Sequence, residues 1–205
     1  EANPTELFQI WLNLPASHKR VAPHFTMFWS PVVPEVHEGG AHLRLIAGAH
    51  RGAQPLSPPP DSYASMPGSE VAIWSLVLDE GAEFTLPPVS SGVTRCLYHV
   101  GGAPSTLAEQ VLPARHFAEI ASQGPLQLSA PEGDCDLLLL QGKPIGEPVA
   151  AHGPFVMNTR EELVQAFADY QRTGFGGWPW PDAAPHHGPD SARFARHADG
   201  REESP

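Results

Sequence analysis

Apolar and polar residues alternate over Phe8-Gln9-Ile10-Trp11-Leu12-Asn13-Leu14, placing Phe8, Ile10, Leu12 and Leu14 on one face. A period of two predicts a half-buried β-strand. Similar runs recur at 43–48, 71–78, 84–86, 93–100, 111–112, 116–121, 126–128 and 135–140. The glycine, proline and aspartate turns between them recur at roughly the 8–12-residue spacing of sandwiches and barrels. Two stretches lack the alternation. Residues 15–34 are proline-broken but carry Phe25, Phe28 and Trp29, which predicts an ordered crossing loop containing a short strand. Residues 52–68 hold Pro55, Pro58, Pro59, Pro60 and Pro67 and read as a long surface loop.

One segment changes period. Thr159 with Glu162 three residues on forms a capping box, and Glu161 and Glu162 suit the positive end of a helix dipole. Leu163, Ala166, Phe167 and Tyr170 then fall at i, i+3, i+4 and i+7, on one helical face. Gly174 is a good terminator. The spacing predicts a helix over about 160–173. Beyond it, Phe175, Trp178, Trp180 and Phe194 in an otherwise polar tail predict that part of the tail docks on something apolar.

Composition sharpens this picture. Twenty-four prolines and nineteen glycines in 205 residues leave little room for long helices and favour short strands. The fold class expected is all-β. A formal net charge of −11 is the wrong sign for phosphate contacts, so neither nucleic acid nor an anionic membrane surface is expected as a direct partner. No apolar run approaches the roughly 20 residues of a membrane helix. Glu1-Ala2-Asn3-Pro4 has neither the basic end nor the apolar stretch of a signal peptide. Cys96 and Cys135 are too few for a disulfide framework or a thiolate metal site, and in strand-like runs both are expected to be buried free thiols. A cytoplasmic location is expected.

Eleven histidines raise the question of a metal. A helical zinc motif needs two histidines four apart, whereas His37 and His42 are five apart with Gly39-Gly40 between them, which reads as a solvated turn. His18, His24 and His50 are scattered through loops, and His186-His187 lie in the tail. There is no Gly-x-Ser-x-Gly elbow and no phosphate-binding glycine loop followed by Lys-Ser or Lys-Thr. Gly101-Gly102 and Gly176-Gly177 read as turns. The residues by themselves specify no reaction.

Three segments resemble the pirin family. The run 8–19, ending Pro15-Ala16-Ser17-His18-Lys19, is similar to the segment joining that family's two cupin domains. Gly142-Lys143-Pro144-Ile145-Gly146-Glu147-Pro148-Val149 and His152-Gly153-Pro154-Phe155-Val156-Met157-Asn158-Thr159, followed by a helix, resemble its carboxy-terminal signature. Trp178-Pro179-Trp180-Pro181, with Arg193-Phe194-Ala195-Arg196-His197, is similar to the tails of bacterial members. The resemblance implies one cupin-type jelly-roll barrel with an amphipathic C-terminal helix. Its parts would be an interdomain linker strand (1–20), a cupin-like domain (21–157), the helix (158–174) and an extended tail (175–205).

The same resemblance implies that the family's iron belongs to an amino-terminal cupin outside this chain, held by a His-x-His pair and a later His-x-Glu. In the corresponding strand–turn–strand stretch here the two histidine slots hold Pro88 and Ser90, and 117–140 contains no histidine. His99 and His116 are nearby but read as packed or rim residues. No catalytic, cofactor-binding or metal residue is therefore expected in this chain, and no cofactor. The function expected is a metal-free structural and interaction module whose partner is an amino-terminal cupin half or a second copy. The alternative is part of a quercetin 2,3-dioxygenase-type enzyme whose iron lies in that other cupin.

Overall fold

The computed structural model describes residues 5–183 and 193–205. Its strands are β1 (Glu35–Glu38), β2 (Ala41–Ala47), β3 (Ala72–Leu78), β4 (Glu83–Leu86), β5 (Thr94–Gly102), β6 (Ser105–Leu107) and β7 (Gln110–Leu112). They continue with β8 (Phe117–Glu119), β9 (Leu126–Ser129), β10 (Cys135–Gly142), β11 (Ala150–His152) and β12 (Phe155–Met157). Helix α1 (Arg160–Thr173) follows, then β13 (Ala195–Arg196) and β14 (Glu202–Glu203).

Two antiparallel sheets enclose the core. One runs β1-β2-β3-β10-β5-β8 and the other β4-β9-β6-β7. Alternation explains their pairing. Leu43 and Leu45 on β2, Trp74, Leu76 and Leu78 on β3, Leu97 on β5, and Leu137 and Leu139 on β10 point inward and are almost wholly buried. They meet Phe84, Leu86 and Leu128 from the opposing sheet. A one-residue slip would turn each of these side chains to the outside, so the register is strongly specified. β1 and β2 are joined by Gly39-Gly40, both at positive φ (58° and 78°), the two-residue turn whose twist suits a hairpin. At Gly48 (φ 78°) a Cβ would sit 2.7 Å from that of Ala72, while its carbonyl accepts from Trp74 Nε1 at 3.0 Å. Glycine is required there.

The helix forms as its sequence predicts. Thr159 Oγ1 accepts from the Glu162 backbone N–H at 3.2 Å, and Glu162 Oε2 accepts from the Thr159 N–H at 2.9 Å. Gly174 closes the helix in the left-handed conformation. Leu163 and Ala166 are buried against Met157, and Phe155 of β12 packs on Phe167 (4.6 Å), Tyr170 (5.9 Å) and Phe175 (5.9 Å).

Some expectations are corrected. Residues 8–14 form no strand: Phe8, Ile10 and Leu12 are exposed in an extended segment without a sheet neighbour. Alternation prepares a segment for a sheet, but a strand also needs an edge to hydrogen-bond. The crossing stretch 15–34 holds two short 3-10 turns (Ala16–His18 and Ser30–Val32) and no strand. Cys135 is buried, but Cys96 is only partly so, because it stands on the outward side of β5. In the tail, β13 pairs with β14, Ala195 is buried, and His197 packs on Phe25 with ring centroids 5.1 Å apart. His186-His187 lie outside the described residues.

Candidate functional site

Two places could carry function: the barrel interior, and the apolar seam beside the extended segment and the helix. In the interior, β5 turns Arg95, Leu97 and His99 inward by simple alternation. Both ring nitrogens of His99 face backbone oxygens, Nδ1 at 2.8 Å from that of Leu112 and Nε2 at 3.0 Å from that of Gly101. Neither is offered to a ligand in the barrel. His116 lies at the exposed rim beside the Ala114 carbonyl. Pro88 and Ser90 are exposed in the loop before β5, where the Ser90 N–H donates to Glu70 Oε2 at 3.1 Å. His50, which reads as a loop residue, is buried. Its ring packs against Trp74 and Phe84, and Nε2 lies 3.3 Å from Glu38 Oε1.

Among the described residues, no three or more His, Cys, Asp or Glu side chains converge as metal ligands. The iron site that the resemblance implies would call for several imidazoles and a carboxylate around one point, and the donors among the described residues do not fit it.

The interior instead holds an unexpected cation. Arg95 is 1% exposed, and none of its three guanidinium nitrogens has a hydrogen-bond partner among the described residues. Burial pushes its pKa down from the ordinary value, as desolvation disfavours the charged form. Its cross-strand neighbour on β10 is Gln141, whose Oε1 is also buried and unpartnered. Alternation across 93–100 is the signal that could have found it, since the register that buries Leu97 also buries Arg95.

The outer seam is apolar. Within the extended segment 5–15, residues 10–13 run along the outward side of the larger sheet. There Ile10, Trp11 and Leu12 face Ile73, Cys96 and Leu140 across a groove of about 600 Å³. Much of the segment remains open: Leu7 is 85% exposed and Trp11 62%. Its C-terminal end is pinned. Glu147 Oε2 accepts from the Ala16 N–H at 2.6 Å and from Asn158 Nδ2 at 2.9 Å, tying the segment to the stretch that enters the helix. Lys19 Nζ donates to Asn13 Oδ1 at 2.7 Å. Its pKa is lowered, chiefly by burial, while Glu147 and Glu162 act in the opposite direction. Arg20 reaches Asp169 of α1 at 3.8 Å. A second groove, of about 710 Å³, opens between this anchored end and the helix, lined by Val21, Pro23, Phe155, Met157, Ala166 and Phe175. Glu147 and Asn158 lie in the stretches 142–149 and 152–159, but nothing in their spacing points to their holding the segment.

Comparison with known proteins places these features. The profile of the Pirin C-terminal cupin domain matches residues 73–176. Mouse Pirin is 31% identical over 181 residues, covering 85% of this chain and 59% of Pirin. A pirin-like protein of Caulobacter vibrioides is 32% identical over 169 residues, covering 82% of this chain and 58% of that one. The crystal structure of a quercetin 2,3-dioxygenase from Acinetobacter baumannii superposes with a TM-score of 0.70 at 30% identity, over 81% of this chain and 55% of that protein. The chain therefore spans somewhat under three-fifths of the length of these curated relatives. With two antiparallel sheets around one core, a capped helix after the signature, and a profile match over half its length, the chain belongs to the pirin family, in the part that carries the C-terminal cupin domain.

Proposed function

We propose that this chain is a structural and interaction module, the metal-free C-terminal cupin of a pirin-type bicupin, and that residues 5–15 with the helix seam are its docking face. The observation that carries the reading is the extended segment itself. Leu7, Phe8 and Trp11 project from it largely exposed, while Glu147 anchors the end nearest the helix. Burying each such side chain is worth about 1.5–3 kcal/mol, so an apolar partner surface would gain several kcal/mol before ordering costs. Anchoring lowers those costs, because part of the segment is already fixed. The partner we propose is an amino-terminal cupin half, with self-association as the second candidate. The donor set around Pro88, Ser90 and His99 supports a barrel without iron, which leaves this half to shape and seal the complex.

A second reading is favoured by the likeness to the Acinetobacter baumannii quercetin 2,3-dioxygenase. In it, the chain is one part of a metal-dependent dioxygenase and supplies none of the iron ligands. Metal analysis of the purified chain, alone and reconstituted with an amino-terminal cupin half, tests both. The module reading expects no stoichiometric iron in the chain alone, and complex formation that Trp11→Asp weakens. Flavonol turnover on reconstitution alone supports the second reading. One iron per chain in the isolated protein overturns both.

A further inference from the structure

On the outward face of the larger sheet, away from the barrel interior and the docking seam, the Gly39-Gly40 turn brings two histidines together. His37 and His42 are direct cross-strand partners in the β1–β2 hairpin. Their Nδ1 atoms are 2.6 Å apart, with the rings edge to face at 4.8 Å between centroids. On the far side, His42 Nε2 lies 3.0 Å from Asp79 Oδ2. A carboxylate only accepts, so that nitrogen carries the hydrogen and His42 Nδ1 presents its lone pair. His37 Nε2 lies 3.7 Å from Glu35 Oε2, and both rings border a pocket of about 240 Å³.

We propose that His37 and His42 form a two-imidazole surface site for a divalent transition-metal ion of the zinc, nickel or copper class. Imidazole is the ligand these ions share. A ligating histidine characteristically gives its other ring N–H to a carboxylate, which fixes the tautomer; Asp79 does this for His42 and Glu35 is placed to do it for His37. In the neutral pair, His37 Nδ1 donates its hydrogen to His42 Nδ1. On metal binding that hydrogen moves to His37 Nε2, toward Glu35, and no net proton is released. Nitrogens on a tetrahedral ion with bonds of about 2.0–2.1 Å stand about 3.3 Å apart. Both rings are substantially exposed and free to open by that amount.

Neighbouring charges are balanced but favourable. Glu35 and Asp79 are anionic, and Arg44, which donates to Glu35 through Nε at 3.0 Å, is the one cation among the described residues bordering the pocket. Water would complete the coordination, since among the described residues no third ligand converges. Such a clamp would tie β1, the outermost strand of its sheet, to β2. The binding energy would then appear as folding stability.

The test is a zinc titration of the full chain with His186 and His187 replaced by Asn, followed by calorimetry and by long-range nitrogen NMR of the histidine rings. Saturable one-to-one binding is expected, with Nδ1 of both His37 and His42 shifting and the thermal midpoint rising. His37→Ala and His42→Ala should each abolish the midpoint rise, and Asp79→Asn should weaken affinity about tenfold. Circular dichroism confirms that these surface variants fold. Zinc binding that survives either histidine substitution, shifts at Nε2 instead, or no saturable binding up to about 1 mM overturns the proposal.

Discussion

Replacing Arg95 by methionine should stabilise the protein. The guanidinium is 1% exposed and its three nitrogens have no partner among the described residues, so the folded state bears the desolvation of a cation without an ion pair in return. That penalty amounts to several kcal/mol for a buried ion after relaxation. Removing one member of a buried pair usually costs about 3–5 kcal/mol, because the other charge is stranded. No carboxylate among the described residues is paired with Arg95, so nothing charged would be left behind. Methionine matches the length of the buried stem and keeps apolar contact with Leu97 and the surrounding core. Replacing buried ionic groups by apolar side chains of similar volume yields about 1–4 kcal/mol. For a chain of this size each kcal/mol moves the thermal midpoint by about 2–4 °C, so Arg95→Met should raise it by several degrees. Urea denaturation read by fluorescence, with unchanged slope, gives the free energy directly. A loss of about 1 kcal/mol or more would refute the reasoning. It would mean that the guanidinium holds an anionic partner in solution.

Other perturbations address the anchor, the cap and the ionisable groups. Glu147→Ala removes the acceptor for the Ala16 N–H and Asn158 Nδ2 and should cost about 1 kcal/mol; limited proteolysis should then cut near residue 16 faster, and an unchanged cleavage rate would show that the anchor does not hold. Thr159→Ala breaks the capping box and should cost about 1 kcal/mol, measured as a shift in urea midpoint; Thr159→Ser should recover most of it. Glu35 has its carboxyl held below the ordinary 4.5, first by its hydrogen bond from Arg44 and then by that residue's charge. A lowered folded value means the contribution is complete above about pH 4.5 and is lost as acid protonates the group below it, so the protection factors of β1 amides, corrected for intrinsic exchange, should fall in that window and be flat above it. Burial pushes the Cys135 thiol up to about 11; alkylation of the native protein near pH 8 should therefore modify Cys96 first, and equal rates would contradict the buried placement.

How far the sequence speaks depends on whether a feature is local. The helix was legible almost to the residue, because Thr159, Glu162 and Gly174 act within a few positions of one another. The strands over 72–78, 83–86, 94–102 and 135–142 were legible because one face of each is buried and the other is not. Short strands such as β1, β6 and β11 do not stand out in the sequence, since three or four residues are too few to show a period. The pairing of His37 with His42 was hidden for a related reason. A spacing of five is meaningless on a helix, yet a two-residue glycine turn makes it a direct cross-strand contact. Period had to be read together with turn geometry.

The extended segment 5–15 makes the converse point. Its alternation is as regular as that of β2 or β3, but regular alternation only prepares a face; ladder hydrogen bonds must come from a neighbouring edge. Among the described residues none pairs with it, and Leu7, Phe8 and Trp11 stay exposed although the sequence invests in making them apolar. Monomeric surfaces seldom keep a contiguous apolar patch without a use for it. Pairing in trans would satisfy the backbone of residues 8–14, and a partner covering the strand would also bury Phe8, Ile10, Leu12 and Leu14 on one face and Trp11 on the other. Isotope-edited infrared spectroscopy on 8–14 would see that as new β-sheet amide absorption upon complex formation. Binding without that absorption would mean that the segment docks through its side chains alone.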